Sequence, residues 1–191
     1  MLNLNNEIKI KIENPDEIIS KLRDKCAVLI GGVKEVTTRY DFEEETLEKS
    51  GKFVRTRTGF KNIISIKEKL KDENDTILTR NDIEVEVSNI KNMQYILKEL
   101  GLKKTYIMEK HRLKWQYDNI VINIDELFFG CYMEIHGSQE EIWKVFDELE
   151  LNKEDVVIGT YWDIFENYKN KKGIKEKNIK FPHGYSYKIA R

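Results

Sequence analysis

The chain has 191 residues, enough for one generous domain or for one domain built from two similar halves, and apolar residues make up 40% of it, enough to bury a core. Lys plus Arg (33) nearly balances Asp plus Glu (34), so the net charge is −1 and no global attraction to nucleic acid or to an anionic membrane is expected. Any positive site must therefore be local.

Residues Leu4 to Ile12 alternate, with Ile8, Ile10 and Ile12 on one face and Asn5, Glu7, Lys9 and Lys11 on the other, the period of a strand. Asn14-Pro15-Asp16-Glu17 then reads as an N-cap, a first-turn proline and first-turn acids. The helix it opens is predicted to run to about Leu29, with Gly31-Gly32 as its stop. Val33 to Phe42 is a second strand, and Glu43 to Ser50 an acidic connection. Phe53 to Thr58 and Asn62 to Leu70 are strands around Gly59, followed by a polar loop at Lys71 to Asp75 and a strand from Ile77 to Val87. Ser88 is placed to cap a helix through Leu100, which Gly101 ends.

The second half repeats this layout. Leu102 to Tyr117, Asn119 to Leu127 and Cys131 to His136 are strands. Ser138 and Glu141 form a capping box for a helix ending near Leu149, and Tyr161 to Lys171 is helical. The division expected is a single domain over 1–172 and a basic, aromatic tail over 173–191. Hairpin-linked strands with interposed helices point to an antiparallel sheet or barrel of the α+β class.

The polar strand faces carry blocks of like charge. Lys9 and Lys11, Arg55 and Arg57, Lys67 and Lys69, and Lys110, Arg112 and Lys114 are basic sets, against Glu84 and Glu86 and the later Asp125 and Glu134. Residues two apart on a strand point the same way, about 7 Å apart, so each pair can serve one ligand. Turned inward, such faces would suit a polyphosphate and its cation: Arg and Lys take phosphate oxygens, and carboxylates take hard divalent cations. Alternation alone does not say whether these faces look inward or to solvent.

A family pattern supplies the direction. Asn5-Asn6-Glu7-Ile8-Lys9 resembles the Glu-x-Glu-x-Lys strand of the CYTH (adenylyl cyclase–thiamine triphosphatase), or triphosphate tunnel metalloenzyme, family. Phe53-Val54-Arg55-Thr56-Arg57 is similar to its Leu-Arg-x-Arg strand, Ile64-Ser65-Ile66-Lys67 to Thr-x-Lys, and Ile83-Glu84-Val85-Glu86 to Glu-x-Glu. Lys110-His111-Arg112, Asp125-Glu126 and Gly130 to His136 follow in the family's order, closest to its class IV adenylyl cyclase-like branch. The resemblance implies an eight-stranded antiparallel closed barrel with helices packed outside and a triphosphate bound within. It implies phosphate binding by Lys9, Arg55, Arg57, Lys67, Lys110 and Arg112, with Lys11, Lys69 and Lys114 as secondary bases. It implies Mg²⁺ or Mn²⁺ on Glu7, Asp125 and Glu134, with Asn5, His136, Glu84 and Glu86 as further candidates. Asn5 and His136 stand where the pattern has acids, which leaves open a binding module without catalysis beside triphosphate hydrolysis and adenylyl cyclisation.

Partners then reduce to a small triphosphate and a possible second copy in a homodimer, without nucleic acid or membrane. No apolar run reaches the ~18 residues of a spanning helix, and the start lacks a signal-peptide layout, so a cytoplasmic protein is expected. Cys26 and Cys131, without metal-like spacing, read as reduced and buried, and Trp115, Trp143 and Trp162 as core residues. His111 and His183 read as surface or packing residues.

Overall fold

The computed structural model describes residues 3–69 and 78–189, with side chains left out at 3–5, 69 and 78–81. The expected polar loop at 71–75 and the side chains of Asn5 and Lys69 lie outside the described residues. Eight strands form one antiparallel sheet: β1 (Asn3–Ile12), β2 (Val28–Asp41), β3 (Lys52–Thr58), β4 (Ile63–Lys69), β5 (Leu78–Glu86), β6 (Lys103–Tyr117), β7 (Ile120–Leu127) and β8 (Gly130–His136). The order is β1-β5-β4-β3-β2-β6-β7-β8. The ladder then returns to its start, because β1 lies beside β5 through Asn3–Glu7 and beside β8 through Glu7–Ile12. Glu7 is the one residue of β1 paired on both sides.

Helices α1 (Pro15–Asp24), α2 (Thr46–Lys49), α3 (Ile90–Glu99), α4 (Gln139–Glu148) and α5 (Tyr161–Lys172) interrupt the strands. The sheet is apolar on its outside. Ile8, Ile10, Trp115, Ile122, Ile124, Met133 and Ile135 pack there against Ile18 and Leu22 of α1 and Ile142, Val145 and Phe146 of α4. A fully buried Leu or Ile of this kind contributes about 1.5–3 kcal/mol. A second cluster joins Tyr161 and Phe165 of α5 to Leu127, Tyr132 and Ile179, and a third sets Leu97 beside Tyr40 and Leu102. With the apolar faces covered from outside, the charged faces are left to look inward.

The predicted caps of α1 and α4 form: Asn14 Oδ1 accepts from Glu17 N, and Ser138 and Glu141 bond reciprocally. The cap of α3 is Asn89 rather than Ser88. Helix α1 also ends five residues before the predicted Leu29. Cys26 adopts a left-handed conformation (φ 60°), Ala27 N bonds back to Leu22 O, and the chain enters β2 at Val28. A non-glycine residue there costs about 1 kcal/mol, which is why no stop was legible before the glycines. Gly31 and Gly32 lie inside β2, and a Cβ on Gly32 would meet Leu113 Cδ2 at 2.8 Å. Cys26 is exposed, against the expectation of burial, while Cys131 is buried; both are free thiols.

The segment after α5 packs on the outside of β6 and β7. Ile179 bridges to Met108, Ile189 joins the first cluster, and the buried Glu126 carboxylate accepts from Tyr185 Oη and from the backbone of Lys188 and Ile189.

Candidate active site

Inside the sheet is a cavity of about 290 Å³. Its walls hold every member of the predicted basic set, Lys9, Arg55, Arg57, Lys67, Lys110 and Arg112, together with Glu7, Glu84, Glu134 and His136. These side chains come from β1, β3, β4, β5, β6 and β8, each strand giving two or three successive inward positions. The strands cross the cavity at a rise of about 3.3 Å per residue, so a third inward position falls beyond its end. Lys11 is accordingly half exposed beside Glu13, and Glu86 pairs with Lys61 at the surface. Lys114, opposite Asn123 in the ladder, is partly buried but does not line the cavity. On β5 the cavity takes Asp82 and Glu84 instead of Glu84 and Glu86.

Asp125 is fully buried in the cavity's floor and serves as an anchor. Its Oδ1 accepts from Arg112 Nε at 2.6 Å; its Oδ2 accepts from Lys110 Nζ at 2.9 Å, Arg112 Nη2 at 2.5 Å and Tyr161 Oη at 2.7 Å. With both oxygens committed to basic groups, Asp125 positions the clamp and stands outside the candidate metal cluster. Glu35, absent from the sequence-based set, plays a similar part. Its carboxylate lies 3.2 Å from Lys110 Nζ and 3.5 Å from Arg112 Nε. Burial opposes its charge, but Lys110, Arg112 and Arg57 outweigh that and hold its pKa at about 2. Gly59 makes room for it, since a Cβ there would meet Glu35 Cγ at 2.8 Å and φ is +158°.

Glu134 is likewise held well below the ordinary carboxylate range: burial opposes the charge, and Lys9 and Arg112 overcome it at 2.7 and 2.5 Å. The same anchors push the Arg112 pKa up against the effect of burial. The opposite wall is different. Arg55 donates to Ser65 Oγ at 3.0 Å, and loss of water plus the adjacent Arg57 pull its pKa down to about 10. Lys67 pairs with Asp82, yet burial and Arg55 bring its pKa down to about 8. Arg55 and Lys67 are thus under-compensated cations facing an enclosed space, which is what an incoming anion would relieve.

One cluster among the described residues has metal-binding geometry. A ligand atom from each of Glu7, Glu134 and His136 lies within 4.8 Å of the others. His136 is oriented by Asn123, whose Nδ2 is 3.0 Å from Nε2. Two carboxylate oxygens and an imidazole nitrogen suit Mg²⁺ less well than Mn²⁺, which accepts nitrogen more readily. Counting charge favours a cation as well: seven basic side chains line the cavity, against four acidic ones and the buried Glu35 and Asp125. That cage is close to neutral, so a triphosphate of roughly four negative charges leaves a deficit that a divalent ion would fill.

The structure also brings in residues that the sequence reading left out. Arg39, Phe53, Tyr106, Met108, Thr160, Tyr161 and Trp162 line the same cavity. Phe53 is two residues from Arg55, and Tyr106 and Met108 precede Lys110 at the same period, so alternation carried the signal. Trp162, expected in the core, stacks on Tyr106 with ring centroids 3.9 Å apart and planes within 8°. Trp115 is fully packed and Trp143 packs edge-on against Phe146, as expected. His111 is partly buried beside Tyr187, and His183 is exposed.

A family model for the CYTH domain matches residues 3–161. The chain belongs to the CYTH family. A comparison with curated protein sequences returns no match. Among solved structures, this CYTH protein is similar to a Vibrio parahaemolyticus protein provisionally named an adenylate cyclase, at 16% identity and TM-score 0.75 over 87% of this chain and 99% of the other. PH1012 from Pyrococcus horikoshii is 24% identical, with a TM-score of 0.69 over 82% and 96% of the two chains. A Hippeastrum protein, provisionally named an adenylyl cyclase and described as having a dominant triphosphatase activity, is 14% identical, with a TM-score of 0.56 over 97% and 93%. At these identities the likeness is one of fold. No helix among the described residues is long and apolar enough to cross a membrane.

Proposed function

We propose that this CYTH protein is a divalent-metal-dependent enzyme that cleaves a phosphoanhydride of a triphosphate held inside its sheet, which works as a tunnel closed through β1. The observation that carries the reading is the enclosed cavity with Arg55 and Lys67 depressed in pKa, at about 10 and about 8, beside a firmly anchored Lys110–Arg112 pair. Arg55, Arg57, Lys67, Lys110, Arg112 and Lys9 would take the non-bridging oxygens, and their charge would stabilise that accumulating on the leaving phosphate. Glu7, Glu134 and His136 would hold the cation, Mn²⁺ in preference to Mg²⁺. When bound, such an ion supplies charge neutralisation and a water of lowered pKa. Lys9 and Arg112, which neutralise Glu134 in the structure, would turn to phosphate on binding and release that carboxylate.

Hydrolysis is the preferred reading. It is tested by incubating the purified chain with Mn²⁺ or Mg²⁺ and either ATP or tripolyphosphate, then resolving products. Orthophosphate release with loss in Glu134→Gln supports it. Cyclic AMP with pyrophosphate would replace hydrolysis by cyclisation. Tight binding without turnover under either metal would favour a binding module, the reading that His136 motivates by standing where the family pattern has an acid.

A further inference from the structure

We propose that the cavity has a second subsite, an aromatic wall of Phe53, Tyr106 and Trp162 with Arg39, which takes a neutral nucleobase and makes a nucleoside triphosphate the preferred ligand. This rests on the phosphate-binding reading above and narrows it.

Most of the cavity's other inward positions carry a charge or a hydroxyl. Rings placed there for packing would be expected to disappear into the core, yet Phe53, Tyr106 and Trp162 each remain partly accessible and line the space that holds the clamp. Tyr106 and Trp162 are stacked on each other, so each has one ring face committed and one remaining. The stack is held in place. Trp162 sits in the first turn of α5, where Thr160 and Asp163 form a capping box, and Tyr106 is inside the β2–β6 ladder. The wall also adjoins the phosphate side: Arg39 is paired across β2 and β3 with Arg55 and across β2 and β6 with Tyr106. Tyr161, next to Trp162, lies under Lys9 and Lys110 of the clamp, 4.4 and 5.2 Å from its ring.

Arg39 selects among ring-bearing triphosphates. Its guanidinium is 4.9 Å from the Phe53 centroid and 5.4 Å from that of Tyr106. The wall therefore already carries a positive charge, which disfavours a cationic ring such as a thiazolium. A neutral base can stack and accept hydrogen bonds from the same guanidinium. Inorganic tripolyphosphate has no group to cover the wall.

The test is equilibrium titration of the full chain with ATP, tripolyphosphate and thiamine triphosphate in Ca²⁺, following heat and tryptophan fluorescence. Tripolyphosphate carries more charge at its free end than ATP does, so a site working by charge alone would bind tripolyphosphate at least as tightly. The subsite predicts ATP tighter by roughly tenfold or more, with quenching of Trp162. Trp162→Leu and Phe53→Leu should each remove that preference and leave tripolyphosphate affinity within about twofold, while Trp162→Phe keeps the preference and loses the quenching. Phe53→Leu carries the test if melting shows that Trp162→Leu does not fold. If tripolyphosphate binds and ATP is no tighter, the subsite is refuted and the clamp stands. Thiamine triphosphate binding above ATP refutes the choice of a neutral base. If no triphosphate binds, the phosphate reading fails and the subsite with it.

Discussion

Replacing Asp125 by Asn removes one charge from the centre of the cavity floor while keeping the side chain's shape. The aspartate is fully buried and accepts bonds from both Arg112 and Lys110, with a further one from Tyr161. Arg112 would keep Glu134 and Glu35, but Lys110 would keep only Glu35, and the floor would hold an excess positive charge out of water. Removing one partner of a buried ion pair costs about 3–5 kcal/mol. For a domain of this size each kcal/mol moves the melting temperature by about 2–4 °C, so a fall of about 6–20 °C is expected. The same excess charge should be met by an anion. Tripolyphosphate at a fixed concentration is therefore expected to raise the melting temperature of Asp125→Asn by more than it raises that of the unmodified chain. Differential scanning calorimetry with and without tripolyphosphate reads both effects. A melting temperature unchanged within a degree or two, or an equal shift by anion in both proteins, would refute the anchoring role.

Three further outcomes follow from the same groups. Arg55→Ala should weaken tripolyphosphate binding about 10- to 150-fold, by calorimetric titration, because a charge-assisted bond of about 1.5–3 kcal/mol is lost. It should leave the melting temperature of the free protein unchanged or higher, since no carboxylate bonds to Arg55 among the described contacts and its own charge is disfavoured there. Lys67 is charged below its lowered pKa of about 8 and neutral above it, so tripolyphosphate affinity should fall by about tenfold between pH 7 and pH 9, a step absent in Lys67→Met. Glu35, lowered from 4.5 to about 2, contributes stability that is present above pH 4.5 and lost as pH falls towards 2. Acid titration followed by circular dichroism should show a loss of about 3 kcal/mol over that window, missing in Glu35→Gln.

Most strands were legible because an antiparallel sheet with one apolar and one charged face writes its period into the sequence. Ile8-Lys9-Ile10-Lys11 and Arg55-Thr56-Arg57 are read directly as faces. Which face looks inward was not legible from alternation; it depends on α1 and α4 covering the isoleucines, a fact of tertiary packing. The basic clamp was found from charge blocks and family resemblance together, but the ends of the cavity were not, so Lys11 and Glu86 were included and Asp82 omitted. Glu35 and Arg39 were missed because each stands alone among threonines and valines on β2, without a like-charged neighbour two residues away. The end of α1 at a left-handed Cys26 was missed for a local reason: the conformation is rare for cysteine, and the glycines after it offered a better stop. Trp162 was assigned to the core by its apolar character, whereas its place at the head of α5 turns it into the cavity.

The central claim is that the enclosed basic cage, with the Glu7–Glu134–His136 cluster beside it, is a triphosphate and metal site. Its most direct test is a crystal structure of the chain with tripolyphosphate and Mn²⁺, using the manganese anomalous signal to find the ion. The account predicts the anion between Arg55, Arg57, Lys67, Lys110 and Arg112, with manganese on Glu7, Glu134 and His136. An anion bound only on the outer surface, or a cavity that takes up neither anion nor metal, would contradict it.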